Sequence, residues 1–162
     1  MTGENQIEKF LVLLEQCEIE YCVIGGQAVN AYVEPLVSLD LDVAVVVEQL
    51  EQIESLLAQN YRVTRFPHSL NVVLPGSDLR VQIQTDERYG SFVGKAQLKE
   101  VLGLTMPVAQ LEDVLQGKIW AVQDPKRRAS KRQKDLADIA RILESYPELE
   151  TQVPALVLEK LI

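Results

Sequence analysis

The sequence predicts an α/β (α+β) fold: a mixed sheet flanked by helices, ending in a helical C-terminal part. Three observations carry this. Short apolar or alternating runs, of the kind a strand needs, recur at 21–24, 41–47 and 79–84. Helix-spaced stripes separate and follow them, and the last two stripes, 110–122 and the one through Leu136, Ile139, Ala140 and Leu143, close the chain without another strand between them. The run Val43-Ala44-Val45-Val46-Val47 is apolar on both faces, as a central buried strand must be.

Taken in order, Ile7, Phe10, Leu11 and Leu14 follow helical spacing, so 4–17 is an amphipathic helix. A short strand, 21–24, is broken by Gly25-Gly26, and 27–32 reads as a short helix that ends before Pro35. The central strand is 41–47. Leu50, Ile53, Leu56 and Leu57 share one face of a helix over 49–59. Strands at 61–66 and 71–74 lead into Pro75-Gly76-Ser77-Asp78, strong turn chemistry, and 79–84 pairs back. The stretch 86–104 reads as helical fragments and 107–109 as extended. Asp124-Pro125 reads as an N-cap followed by proline at the first helical position. Pro147 stops the long helix, and a short helix broken near Pro154 follows. The division expected is an α/β core over 1–108 with a helical extension over 109–162 packed on it.

Composition bounds the function. The chain has 162 residues and a net charge of −8, with no apolar run near the ~18 to 20 residues of a membrane span. Residues 1–6 lack the pattern of a signal peptide. Cys17 and Cys22 have no metal-type spacing and read as reduced thiols, so a cytoplasmic location with no membrane partner is expected. Six of the sixteen basic residues fall between Lys126 and Lys134. They read as a ridge able to touch RNA or phosphates, or as an ordinary solvated helix face. His68 is the only histidine and reads as a surface residue, which disfavours Ser-His-Asp and Cys-His chemistry.

Fourteen residues beyond Gly26 comes Asp40, then Asp42. Residues two apart on a strand share a face, so these carboxylates point the same way. Two carboxylates brought together repel and lose hydration, and a hard cation such as Mg²⁺ relieves both. Their plainer reading is polarity at a strand entrance. Gly25-Gly26, between strand and helix, can set backbone N–H groups against a phosphate or can simply turn the chain. Ser38 can bond a phosphate oxygen or cap a turn. Lys118 falls in the stripe of Leu111, Val114, Leu115 and Val122, where it either snorkels out or meets a buried anion. Asp135 flanks the buried stripe of the next helix, where it can orient Lys118 or belong to a surface ion-pair network.

Together these residues resemble the nucleotidyltransferase superfamily, the DNA polymerase β-like fold, and within it the AbiEii toxin-like group. The carrying stretches are 25–32, Ser38-Leu39-Asp40-Leu41-Asp42, Leu111-Glu112-Asp113 with Lys118, and 132–138, so the likeness spans about residues 20–143. It implies transfer of a nucleoside monophosphate from an NTP to an RNA or protein hydroxyl, with pyrophosphate leaving. It also implies Mg²⁺ (or Mn²⁺) on Asp40 and Asp42, phosphates cradled by Gly25, Gly26 and Ser38, triphosphate bound by Lys118, and Asp135 in support. A cognate antitoxin and a monomer or homodimer fit the same group. Two departures stand out. The family's third carboxylate matches Gln82, which accepts a hydrogen bond but takes no proton, and Leu36 stands where many relatives carry a basic residue. The catalytic position Gln82 therefore opens an alternative: a degenerate module that binds a nucleotide or a partner without transfer.

Overall fold

The computed structural model describes residues 3–161. In chain order the elements are α1 (Gly3–Gln16), β1 (Tyr21–Ile24), α2 (Gly25–Tyr32), β2 (Asp40–Val45), α3 (Leu50–Asn60), β3 (Arg62–Phe66), β4 (Ser69–Val73), β5 (Arg80–Gln84), α4 (Gly90–Val93), β6 (Gln97–Val101), β7 (Leu104–Val108), α5 (Leu111–Gln123), α6 (Ala129–Ser145) and α7 (Ala155–Leu158). The strands form one mixed sheet in the order β3-β4-β5-β2-β1-β7-β6. β2 holds the middle, antiparallel to β1 and parallel to β5. Its Leu41, Val43, Ala44 and Val45 are buried, as its sequence requires.

Registers place the site. Ile24 sits opposite Asp42, so the turn into α2 begins beside that carboxylate. Asp40 and Asp42 sit opposite Arg80 and Gln82 on β5, and Asn71 of β4 sits opposite Gln82. One polar row thus crosses three strands. The alternate residues Leu41, Val43, Val81 and Ile83 are fully buried and belong to the core with Phe10 and Leu14 of α1 and Ile53 and Leu57 of α3.

Two expectations need correction. The stretch 86–104 holds only a 3-10 turn, Glu87–Tyr89, and the single turn α4 as helix; β6 then pairs antiparallel with β7. Asp124-Pro125 does not start a helix. Asp124 ends α5, its Oδ1 accepts from the Lys126 N–H (2.9 Å), and α6 begins at Ala129. The ends of β2 and β5 also shift by a residue or two from the expected bounds, with Asp40 inside β2 rather than before it.

Candidate active site

The turn from β1 into α2 needs glycine for two reasons. Gly25 has φ +70°, a conformation L side chains rarely adopt, and a Cβ there would collide with Asp42 Oδ2. The backbone therefore approaches the carboxylate as closely as it can. A Cβ on Gly26 would lie 3.7 Å from Ser38 Oγ, 3.8 Å from Lys134 Nζ and 4.0 Å from Asp138 Oδ2, so a hydroxyl, an ammonium and a carboxylate converge on this same turn. The loop carrying Ser38 is pinned from α2. Gln27 Nε2 donates to the Ser38 carbonyl (3.1 Å), and Asn30 bonds Leu36 through both its amide donor (2.7 Å) and its acceptor oxygen (3.1 Å).

Asp40, Asp42, Gln82, Gly25, Gly26, Ser38, Lys118 and Asp135 all line one cleft. The cleft encloses about 120 Å³. That is well below the ~300–1,000 Å³ of a site that engulfs a whole small molecule. A ligand of nucleotide size would therefore extend past its mouth.

The two acids differ in state. Asp40 Oδ1 pairs with Arg80 Nε at 2.8 Å, an exposed cross-strand contact of little strength. Asp42 Oδ1 is shielded from water and has no hydrogen-bond partner. Burial pushes the Asp42 carboxyl up; the Lys118 charge opposes this and the Asp40 charge reinforces it. A buried carboxylate oxygen with no partner is the donor a hard cation takes. Asp40 and Asp42 thus fit a Mg²⁺ or Mn²⁺ ion. They are two carboxylates and not three: Gln82 stands in register with Asp42, and no cluster of three His, Cys, Asp or Glu suited to a metal occurs among the described residues. Asp86, the next acid along from β5, bonds the Arg88 N–H (3.0 Å) and guanidinium and does not line the cleft.

Lys118 is buried and meets two carboxylates, Asp135 Oδ1 at 3.0 Å and Asp138 Oδ2 at 2.9 Å. Burial alone would lower its pKa, but Asp138 and Asp135 outweigh it and hold the ammonium above its ordinary value. Of the two fates open to a lysine in a core stripe, this is the buried anion, and α6 supplies it. Arg127 grips Asp135 with two bonds (2.8 and 3.1 Å) and Arg141 pairs with Asp138 at 2.8 Å. Arg141 also reaches Asn30 Oδ1 (2.9 Å) and the Glu34 carbonyl (2.6 Å), tying the network to α2 and its loop.

Three polar lining residues, Ser69, Gln84 and Tyr89, are not singled out by the sequence; Arg127, Lys131 and Lys134 read there only as part of a basic ridge, and Asp113 only within a stretch that carries the resemblance. Gln84 and Ser69 share the alternation of Gln82 along β5 and β4, so the strand period alone pointed to Gln84. Nothing local signals that Arg127 turns inward while its neighbours do not.

Comparison with known proteins gives the family and the fold. A family model described as Nucleotidyl transferase AbiEii toxin, Type IV TA system, matches residues 26–162. No curated protein matches. Among solved structures, ANT(2'')-Ia in complex with adenylyl-2''-tobramycin superposes with a TM-score of 0.61 at 15% identity, covering 91% of this chain and 92% of that one. The lincosamide antibiotic adenylyltransferase LnuA, lincomycin-bound, gives 0.52 at 13% identity over 87% and 98% of the two chains. A Thermotoga maritima protein described as a nucleotidyltransferase gives 0.52 at 16% identity over 85% and 96%. At such identities the structures establish a shared fold. With the family model covering most of its length, the chain belongs to the AbiEii nucleotidyltransferase toxin family.

Proposed function

We propose that this protein binds an NTP together with Mg²⁺ (or Mn²⁺) and transfers the nucleoside monophosphate to a hydroxyl of RNA or of a protein. The observation that carries the reading is the convergence on one cleft of the Gly25-Gly26 turn, the Asp40–Asp42 pair and the Lys118–Asp135 ion pair. An acceptor oxygen attacks the α-phosphorus, the bond to the β-phosphate oxygen breaks, pyrophosphate leaves, and the hydroxyl proton passes to solvent. In this reading the N–H groups of the Gly25-Gly26 turn and the Ser38 hydroxyl orient phosphate oxygens. Lys118 carries positive charge to the same region, with Asp135 fixing its position. Asp40 and Asp42 would hold the ion, which when bound neutralises charge building on the transferring phosphoryl group. No side chain at position 82 can take the acceptor's proton, a contribution worth ~10²–10⁴ in rate where a general base is present. Family membership supports a type IV toxin whose antitoxin is the natural partner.

Position 82 also supports a second reading, a nucleotide- or partner-binding module that no longer transfers. One experiment tests both. The chain is incubated with α-labelled NTPs, Mg²⁺ and total RNA or cell protein, and transfer of label is measured. The first reading predicts labelled product from wild type and none from Asp40→Ala, whose melting temperature stays at or above that of wild type. Transfer retained by Asp40→Ala refutes it. An inert wild type that gains transfer through Gln82→Asp establishes the second reading.

A further inference from the structure

The fold sorts the six basic residues between Lys126 and Lys134 into three kinds. Arg127 turns inward to Asp135, and Arg132 donates to the carbonyls of Asp124 (2.8 Å) and Arg127 (3.1 Å), so both arginines brace the α5–α6 connection. Lys126 and Arg128 are exposed and line no part of the cleft. Lys131 and Lys134 do line it, three residues apart and so on one face of α6.

Most charged residues that line the cleft are paired off. Asp40 has Arg80, Asp113 has Lys95 at 3.0 Å, and Asp135 has Lys118 and Arg127. Among the described residues, the cleft-lining charges without an ion-pair partner are Asp42, Lys131 and Lys134. Lys118 shares its charge with two carboxylates, Asp135 and Asp138. The cleft's unpaired charges are therefore of both signs: one acid, Asp42, and two lysines, of which Lys131 is near enough for its charge to act on Asp42. A polyphosphate carrying a divalent ion complements both.

We propose that Lys131 and Lys134 grip the polyphosphate of the incoming nucleotide, in the cleft that Gly26 and Ser38 also line. This rests on the reading above that an NTP is the substrate, and moves the main phosphate-binding charge from α5 to α6. Lys134 Nζ already lies beside the glycine turn. Lysine suits this role because a compact charge on a flexible stem can follow phosphate oxygens as pyrophosphate forms and leaves.

The proposal is tested by calorimetric titration of the full chain with inorganic triphosphate and with each NTP, all with Mg²⁺. Wild type is compared with Lys131→Gln/Lys134→Gln and with Lys126→Gln/Arg128→Gln, after melting curves show that all are folded. The expected result is binding by wild type, binding weakened roughly tenfold or more in the first variant, the scale of losing a charge-assisted bond, and wild-type affinity in the second. Equal affinity in wild type and Lys131→Gln/Lys134→Gln overturns this assignment and leaves the NTP reading standing. A wild type that binds neither triphosphate nor any NTP overturns both.

Discussion

Asp42 is the residue on which the site turns. Its Oδ1 is buried and unpartnered, and its Oδ2 lies against a glycine that tolerates no side chain, so water cannot help a charge held there. Because burial raises its pKa, the folded state retains a proton that the unfolded chain releases. The Asp42 contribution to stability thus falls as pH rises from the ordinary carboxylate value through the raised one, and stays low above it. Asp42→Asn should melt higher than wild type at neutral pH without metal. The gain should vanish below the ordinary carboxylate range, and Mg²⁺ should raise the melting temperature of wild type alone. Melting curves over pH, with and without Mg²⁺, measure this; an Asp42→Asn variant that melts lower at neutral pH contradicts it. The two carboxylates were legible in the sequence because a period of two places Asp40 and Asp42 on one face whatever the neighbouring strands do. The sparing of Lys131 and Lys134 from ion pairs was not, since it depends on which neighbour each arginine finds in space.

At the scale of elements, the Lys118 network holds α5 against α6. Removing one partner of a buried pair leaves the others uncompensated, at a typical cost of ~3–5 kcal/mol. Arg127 and Arg141 still reach Asp135 and Asp138, so Lys118→Met should lose about 3 kcal/mol, the low end of that range, by urea unfolding. A loss under about 1 kcal/mol, the worth of a surface pair, contradicts the bracing role. Since Lys118 is held above its ordinary value, its contribution persists through neutral pH and is lost only as pH rises through that raised value. The helices and central strands were readable because each buries one face or both. β6 was not: it is an edge strand, and of its five residues only Val101 is buried, so no apolar alternation marks it. Asp124-Pro125 misled for a related reason. Its side-chain bond to the Lys126 N–H is the local chemistry of a cap, used here to shape a turn.

At the scale of the molecule, a net charge of −8 surrounds a cleft whose free charges are one acid and two lysines. In the proposed site a polyanion is drawn to those lysines and the glycine turn, and a cation to the acid pair. No described helix is long and apolar enough to cross a membrane. Asp40 and Asp42 should make nucleotide binding metal-dependent, and calorimetry reads this out without any acceptor. ATP, GTP, CTP and UTP are titrated into wild type and into Asp40→Ala/Asp42→Ala, with and without Mg²⁺. Wild type should bind at least one NTP, only with Mg²⁺, and the double variant should bind none. NTP binding that persists without Mg²⁺ or in the double variant, or that is missing from wild type, contradicts it.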